Sequence, residues 1–277
     1  SAISDKSSLV SNEVIKSRVT VLSENITKWG AANVVVTNND PKDFQRLPGY
    51  FDLIVVDAPC SGSGLFRKDP KAINEWSEQS VEMCSHRQQR ILADILPALK
   101  DGGTLIYSTC SYSPSEDEEI SDWLINDFEL DAIPLQLKNE WNIIETTASK
   151  SKAKGYRFYP DKLKGEGFFI AAFRKRNLTD SANSESVVKG KSLRLTSKEI
   201  DVVKPWVKKW DDFFFIKQND EVIAIPSHLE NDLAMLQPAL YIKKAGVKLG
   251  VIIRNELIPD HELALSNIIN PMTASIE

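Results

Sequence analysis

The chain has 277 residues, of which 42% are hydrophobic and 26% charged, and its formal net charge is −5. This composition is typical of a soluble globular protein, and the length allows a large core and two domains. No apolar run approaches the roughly 20 residues that a membrane span needs, and the start, SAISDKSSLV, lacks the layout of a signal peptide, so the cytoplasm is the expected compartment.

The first half of the chain alternates predicted strands and helices, which favours an α/β fold built on a parallel, doubly wound sheet. A helix is predicted over 14–29 because apolar residues recur there at helical spacing, and Gly30 is placed to end it. Strands are predicted at 34–36 and at 51–56, the second as a buried apolar run.

The pattern continues with a second predicted helix over 85–100, a turn at 101–103 and a short strand at 104–107. Another helix is expected to start at Pro114, since the acids that follow it suit the positive end of a helix dipole. A last strand, predicted at 167–173, closes the sheet.

A composition change separates the two halves. Periodicity is lost in a stretch rich in Ser, Asn and Lys, which is typical of a linker, and we place this linker at 177–194. The residues beyond it, 195–277, are predicted to form a small, largely β second domain. Its predicted strands lie at 212–216, 222–226, 240–242 and 250–253.

Two of the three cysteines follow predicted strands. Cys60 comes shortly after the strand at 51–56, and Cys110 shortly after the strand at 104–107. Ligands bind beyond the carboxyl ends of strands in α/β sheets, so if these strands are neighbours, both thiols can face one small molecule. A single cysteine is more often a small buried hydrophobe, and Cys84, near a predicted helix start, is interpreted so. The odd cysteine number and the lack of a CxxC pair favour free thiols over disulfides or a metal site.

The motifs around these cysteines closely resemble those of the Sun (Nol/Nop) family of RNA cytosine-5 methyltransferases, over residues 1–176. They are DAPCSGSG (57–64) with FRKDP (66–70), YSTCS (107–111), EDEE (116–119), and RFYP (157–160) with GEGFF (165–169). The resemblance implies a Rossmann-like methyltransferase sheet over 1–176. Residues 195–277 are similar to the second domain of bacterial RsmF-type ribosomal RNA enzymes, which implies an RNA-binding accessory domain.

The family chemistry accounts for two thiols. Carbon 5 of cytosine is a poor nucleophile, but a thiolate added to carbon 6 turns the ring into an enamine that accepts a methyl group. The resemblance implies that Cys110 attacks and that Cys60 helps to release the enzyme afterwards. Asp57 is expected to hydrogen-bond the cytosine edge and stabilise developing charge, although capping the turn after its strand is a compatible role.

The resemblance implies S-adenosylmethionine as the cofactor, and no metal is expected because no CxxC pair or His/Cys cluster suggests one. An acid at the end of a strand commonly holds ribose hydroxyls, and Glu13 matches that family position. Asp40 matches the acid placed near the adenine, and Asp57 is counted with the cofactor-binding residues as well as the catalytic ones. A surface carboxylate without a ligand is the alternative interpretation of Glu13 and Asp40.

The sequence departs from the family pattern in one place. The family carries a glycine-rich cofactor loop ahead of the strand that holds Glu13, and this sequence has none, so we expect a fragment of a longer enzyme. The competing hypothesis is a non-catalytic RNA-binding protein derived from the family. Methylation of an exocyclic amine would require a DPPY-like stretch, in place of which the chain has DAPC.

The charge distribution favours RNA as the partner despite the acidic average. Residues 150–209 contain 16 Lys and Arg but only 6 Asp and Glu. A local basic surface of this kind suits the phosphates of RNA, expected to be ribosomal RNA, and Arg157 and Lys68 are further candidates for phosphate contacts. A solvated lysine-rich surface is the alternative. We expect a monomer, with no DNA or membrane partner.

Overall fold

The computed structural model describes residues 4–177 and 194–274, so the predicted linker lies almost wholly outside the described residues. Its strands are β1 (Leu9–Asn12), β2 (Val34–Thr37), β3 (Phe51–Asp57), β4 (Leu99–Thr109), β5 (Leu130–Ala132), β6 (Ile144–Thr147), β7 (Lys154–Phe158), β8 (Phe168–Lys175), β9 (Phe213–Gln218), β10 (Glu221–Pro226), β11 (Ile242–Ala245), β12 (Val247–Ile253) and β13 (Glu256–Pro259).

The α-helices complete the element order. They are α1 (Lys16–Trp29), α2 (Ala72–Glu75), α3 (Glu78–Ile95), α4 (Glu118–Phe128), α5 (Ser197–Val203), α6 (Glu230–Ala239), α7 (His261–Leu265) and α8 (Pro271–Ala274). Within the two described ranges, no helix combines the length and the apolar character that crossing a bilayer requires.

The described residues divide into two compact units. The first contains residues 4–43 and 194–274, and the second contains residues 44–177. This division differs from the predicted boundary at residue 176. The difference arises because β11 pairs with β2 in the first unit, which joins segments that the sequence assigned to different domains.

The first unit contains a sheet in the order β1-β2-β11 and a helix that packs on it. β1 and β2 are parallel, and β11 adds antiparallel to β2. Val19 and Ile26 of α1 pack against Val34 and Val36 of β2. Gly30 adopts φ +75° and caps α1 through its backbone N–H, which a residue with a side chain would do only under strain, so the predicted helix and its end are confirmed.

A second sheet of the first unit has the order β13-β12-β10-β9 and is antiparallel throughout. Its core contains Val203, Phe215, Val222 and Leu249, all nearly inaccessible to solvent. The predicted β character of the C-terminal part is therefore confirmed, but the predicted strand at 240–242 begins only at its last residue and belongs to the other sheet.

The second unit is built on a sheet in the order β3-β4-β8-β7-β6, with β5 also paired to β8. Only β3 and β4 are parallel in it, so the sheet is mixed and not parallel as predicted. The hairpin of β6 and β7, which creates much of this antiparallel part, was missed because sequences such as KGYRF lack the alternation that marks a strand.

The helix before β4 also differs from its prediction at 85–100. It begins at Glu78, after Ser77 accepts a hydrogen bond from the backbone N–H of Ser80 at 3.1 Å, and it gives way to a 3-10 turn that contains Pro97. The predicted turn at 101–103 lies inside β4 as an irregular stretch of the strand.

β3 is less buried than its apolar sequence predicts. Ile54 is buried, but Leu53 and Val55 are 52% and 61% exposed. Among the described residues β3 pairs with β4 alone, which leaves it at the edge of its sheet and explains the exposure.

Candidate active site

The carboxyl ends of β3 and β4 bring two cysteines together. The strands are parallel neighbours, with Asp57 opposite Ser108, and the backbone N–H of Ala58 donates to the Ser108 carbonyl at 2.9 Å. Because of this alignment, both strands end at the same edge of the sheet. The Sγ atoms of Cys60 and Cys110 lie 2.6 Å apart, and both thiols are free and half-buried.

The contact between the sulfurs makes the two thiols unequal. A hydrogen bond from the Cys60 thiol lowers the pKa of Cys110, although burial and the charge of Asp57 act in the opposite direction. The same hydrogen bond, together with burial, raises the pKa of Cys60. Cys110 is therefore the thiol that ionises more readily, and Cys60 remains beside it as a proton-bearing partner.

A close backbone contact fixes the loop that carries Cys60. Gly64 donates its N–H to the Cys110 carbonyl at 2.9 Å, and the Gly64 carbonyl accepts from the N–H of Gly167 at 2.8 Å. A Cβ placed on Gly64 would lie 2.8 Å from the Cys110 oxygen and 2.7 Å from the carbonyl carbon of Gly167. The glycine is required here because three backbone segments meet with no space for a side chain.

Two adjacent buried acids hold the loop that carries Cys110. Glu116 and Asp117 are both inaccessible to solvent. The hydroxyl of Thr109 donates to Asp117 at 2.6 Å, and the hydroxyl of Ser111 donates to Glu116 at 2.6 Å. The residues before and after Cys110 are therefore each bound to a carboxylate. The sequence showed these acids only as a run at a helix start, and their position six and seven residues after the cysteine was the available signal.

Arg157 belongs to this buried network. Its guanidinium lies 3.0 Å from Asp117, donates to Glu118 at 2.9 Å through Nε, and donates to the Tyr112 carbonyl at 2.9 Å. Burial nevertheless raises the pKa of Asp117 to about 8. Arg157 is only 5% exposed, so the prediction that it contacts RNA phosphates is wrong.

The other predicted residues of this unit lie at its surface or in a helix. Asp57 is exposed at the end of β3. Cys84 lies inside α3 and not near its start, and burial raises the pKa of its thiol. Lys68 is exposed, whereas Arg67 donates to the carbonyls of Pro160 and Gly165.

Of the predicted cofactor residues, Glu13 and Asp40 lie in the first unit, after the neighbouring strands β1 and β2, whereas Asp57 lies in the second unit. Glu13 accepts a hydrogen bond from the backbone N–H of Ile15 at 2.9 Å and forms an ion pair with Arg18 at 3.2 Å. Asp40 accepts from the backbone N–H of Lys42 at 3.2 Å. Both carboxylates thus stabilise turns that begin where a strand ends.

Asparagines that the sequence analysis missed join these two strand ends. The Asn12 side chain accepts from the Thr37 hydroxyl at 2.9 Å and from the Asn39 N–H at 3.0 Å, and it donates to the Asn39 carbonyl at 2.9 Å. The Asn38 side chain donates to the carbonyl of Glu13 at 2.6 Å. The cluster TNND, which begins at the last residue of β2, was the available signal, because short amides commonly bind the backbone at turns.

The lysine-rich segment is less basic in the structure than in the sequence. Several of its cations are paired with acids, including Lys154 with Glu145 at 2.8 Å and Arg176 with Asp131 at 2.7 Å. Part of the segment lies outside the described residues. The basic surface therefore stays a prediction.

Comparisons with known proteins identify the family to which this chain belongs. Residues 1–174 match the family model described as 16S rRNA methyltransferase RsmB/F. The ribosomal RNA small subunit methyltransferase F of Aeromonas salmonicida is 33% identical over an alignment of 269 positions, which covers 93% of this chain and 54% of that protein. Its namesake from Aliivibrio fischeri strain MJ11 is 31% identical over an alignment of 284 positions, gaps included, which covers 98% of this chain and 58% of that protein. The chain thus spans little more than half the length of these relatives.

Solved structures share the α/β sheet and confirm the predicted methyltransferase-like fold. NSun6 from Pyrococcus horikoshii, solved with SFG, is 28% identical with a TM-score of 0.54, over 62% of this chain and 42% of that one. A methyltransferase homologue from the same organism is 30% identical with a TM-score of 0.52, over 62% of this chain and 54% of that one. The chain belongs to the RsmB/F family of 16S rRNA methyltransferases.

Proposed function

We propose that this chain methylates carbon 5 of a cytosine in ribosomal RNA and that Cys110 forms a covalent adduct with the base. The observation that carries the proposal is the contact between the sulfurs of Cys60 and Cys110 at the ends of β3 and β4. The family of rRNA methyltransferases to which the chain belongs supports RNA as the substrate.

The lowered pKa of Cys110 suits it to the first step. Its thiolate adds to carbon 6 of cytosine, which forms a C–S bond and makes carbon 5 nucleophilic. The negative charge that attack develops on N3 is neutralised by a proton from solvent, which returns to solvent when the adduct collapses. Asp57, exposed at the end of the same strand pair, accepts hydrogen bonds from the protonated base edge and so stabilises the adduct. S-adenosylmethionine, when bound, supplies the methyl group that carbon 5 accepts.

Cys60 acts in the release of the product. The proton on carbon 5 is lost to solvent, its electron pair restores the ring double bond, and the C–S bond breaks to return the Cys110 thiolate. The Cys60 thiol, whose pKa is raised by its hydrogen bond to Cys110 and by burial, keeps its proton and stabilises the departing sulfur through that hydrogen bond. One hydrogen bond thus favours the thiolate both before attack and after release.

Glu13 and Asp40 fit the needs of the cofactor. Carboxylate oxygens accept hydrogen bonds from ribose hydroxyls and from the adenine amino group, and a carboxylate has about four lone-pair sites, one of which Glu13 and Asp40 each use for a backbone N–H. Both side chains are partly accessible at the ends of adjacent parallel strands, where ligands of α/β sheets bind. We propose that Glu13 holds the ribose and Asp40 the adenine.

The segment that follows the Cys60 loop supports RNA binding. Lys68 and Lys71 are exposed, and the apolar side chains of Ile73 and Trp76 are 53% and 37% exposed close to them in the chain. Cations beside exposed aromatic surface suit the phosphates and bases of RNA.

Substitution of the two cysteines tests the mechanism, because each single variant should stop the reaction at a different step. With an rRNA transcript and labelled S-adenosylmethionine, Cys110→Ala should neither methylate RNA nor stay attached to it in a denaturing gel. Cys60→Ala should accumulate a denaturant-resistant complex with RNA, and the double variant should lose that complex.

Cys84→Ala is the matched control, because it removes a thiol that lies inside α3 and should leave turnover close to that of the unmodified protein. A Cys110→Ala protein that methylates cytosine at a normal rate would overturn the proposal. So would a complex trapped by Cys110→Ala and not by Cys60→Ala.

A further inference from the structure

Glu116 is a buried carboxylate that the proposed chemistry does not use directly. It lies at the end of the 3-10 turn Pro114–Glu116, just before α4, and none of its surface is accessible to solvent. Burying a carboxylate costs free energy unless hydrogen-bond donors bind its oxygens, so the partners of the Glu116 side chain indicate what it does.

Four donors bind this side chain. Its Oε1 atom accepts from the backbone N–H of Ser61 at 2.8 Å and from the Gln88 amide at 3.1 Å. Its Oε2 atom accepts from the hydroxyls of Ser61 at 2.5 Å and Ser111 at 2.6 Å. Every partner donates, which is the hydrogen-bonding pattern of a carboxylate and not of its amide isostere.

The donors come from both cysteine loops. Ser61 directly follows Cys60, and Ser111 directly follows Cys110. Gln88 also donates to the carbonyl of Pro59 at 3.0 Å, so the residues on both sides of Cys60 are tied to the same network. One side chain therefore connects two loops that are 50 residues apart in sequence.

We propose that Glu116 is a positioning residue that keeps the sulfurs of Cys60 and Cys110 in contact by binding the residue after each of them. The inference rests on the proposed function for its role in methyl transfer, but the geometry it concerns is a property of the protein alone. Loss of the carboxylate releases the loops, and the hydrogen bond between the thiols is lost with them.

Charge and position act on Cys110 in opposite directions. The charged groups that act on Cys110 are Asp57 and Glu116, and the thiols of Cys60 and Cys84 are its other titratable neighbours. The negative charge of Glu116 raises the pKa of Cys110. If Glu116 acted through its charge alone, removal of that charge would lower this pKa. If Glu116 positions the thiols, its removal raises the pKa, because the hydrogen bond from Cys60 is lost.

Glu116→Gln separates these cases without RNA or cofactor. The rate of alkylation by iodoacetamide is measured for each cysteine across a pH series by peptide mass spectrometry, with a free thiol added to the solution as the reference, because the charge of Glu116 also raises the pKa of Cys84. We expect a higher apparent pKa for Cys110 in Glu116→Gln and alkylation at pH 7 that is slower by roughly threefold to tenfold relative to the added thiol.

Asp122→Asn is the matched control. Asp122 is also buried and accepts four hydrogen bonds, from the hydroxyls of Ser149 and Ser151 and from the backbone N–H groups of Lys150 and Ser151, but it binds no cysteine loop. The Asp122→Asn variant should have a lower melting temperature, but the pH profile of Cys110 alkylation should not change.

The double variant Ser61→Ala with Ser111→Ala removes the hydroxyl bonds of both loops to Glu116, while the charge of Glu116 and its bond to the backbone N–H of Ser61 stay. It should also raise the pKa of Cys110, even where Glu116→Gln does not fold. An unchanged or lowered pKa of Cys110 in both variants would overturn the inference. Because the readout is thiol chemistry, this result is independent of whether Cys110→Ala abolishes methylation.

Discussion

Two pairs of parallel strands in this chain are followed by thiols or carboxylates, and the residues that surround these side chains differ between the two pairs. The ends of β3 and β4 present two thiols above the buried acids Glu116 and Asp117. The ends of β1 and β2 present Glu13 and Asp40, and the amide of Asn12 ties those ends together. On the proposed function, two sulfurs that act together need strong, directional bonds to their loops, whereas carboxylates that are to bind a small molecule must remain accessible to it.

The two buried acids themselves are not equivalent. Glu116 has all its oxygens bound by donors, so its charge is compensated by hydrogen bonds. Asp117 receives one hydrogen bond, from Thr109, and among the described residues its Oδ2 atom has no hydrogen-bond donor, only the charge of Arg157 at 3.0 Å. Incomplete compensation is the reason that burial raises the pKa of Asp117 to about 8.

The largest loss of stability should come from adding a side chain where the two cysteine loops meet. Gly64→Ala places a methyl group 2.8 Å from the Cys110 carbonyl oxygen, so the backbone must move and the Cys60 loop with it. We expect the free energy of unfolding to fall by roughly 3 kcal/mol or more, together with loss of the contact between the thiols. Urea unfolding and cysteine alkylation measure the two effects.

Gly49→Ala is the control for this change. Gly49 has φ +58°, but no atom lies within 4 Å of the position that a Cβ would occupy, so only backbone strain of about 1 kcal/mol is expected. Equal losses of stability in the two variants would show that the tight approach at Gly64 contributes nothing.

Asp117→Asn tests whether Asp117 differs from Glu116, because it should change how the free energy of unfolding depends on pH. The native pKa of about 8 lies above the ordinary value of 3.8, so between these pH values the folded state holds a proton that the unfolded state has lost. This contribution to stability is fully present below pH 4 and disappears as the pH rises through 8. The slope is at most about 1.4 kcal/mol per pH unit, and Asp117→Asn should remove it.

Denaturant unfolding at pH 5, 6, 7 and 8 checks this prediction. The stability of Asp117→Asn relative to the unmodified protein should increase steadily over that series. A parallel pH dependence in the two proteins would mean that Asp117 is ionised in the folded state throughout, held so by Arg157. Asp122→Asn serves again as the comparison, since its carboxylate has four donors.

The sequence predicted the reactive groups better than the groups that hold them. Cys60 and Cys110 could be placed because each follows a short apolar run, a local pattern. Glu116 could not be placed, because its burial depends on donors that lie 55 and 28 residues earlier in the chain. Arg157 was assigned to RNA for the same reason: a short window shows a cation but not the acids that pack around it.

Glu13→Ala tests the accessible strand pair. If Glu13 binds the ribose, loss of a charged hydrogen bond should weaken S-adenosylmethionine binding by roughly 1–3 kcal/mol in calorimetry. Glu24→Ala removes the same charge from an exposed position of α1 and should leave the affinity unchanged. Equal affinities for Glu13→Ala and the unmodified protein would assign Glu13 only to the turn that it caps, through Ile15.

The smallest effect is expected at the RNA surface, where single cations contribute little each. Lys68 is exposed, so Lys68→Ala should reduce the slope of log affinity for an rRNA fragment against log salt by about 0.7, the value for one phosphate contact on a single strand. Lys154→Ala is the matched control, because the ammonium of Lys154 is already bound to Glu145 at 2.8 Å and releases fewer counterions. Equal slopes for Lys68→Ala and the unmodified protein would remove Lys68 from the RNA surface, and a larger change in Lys154→Ala would move that surface to the β6–β7 hairpin.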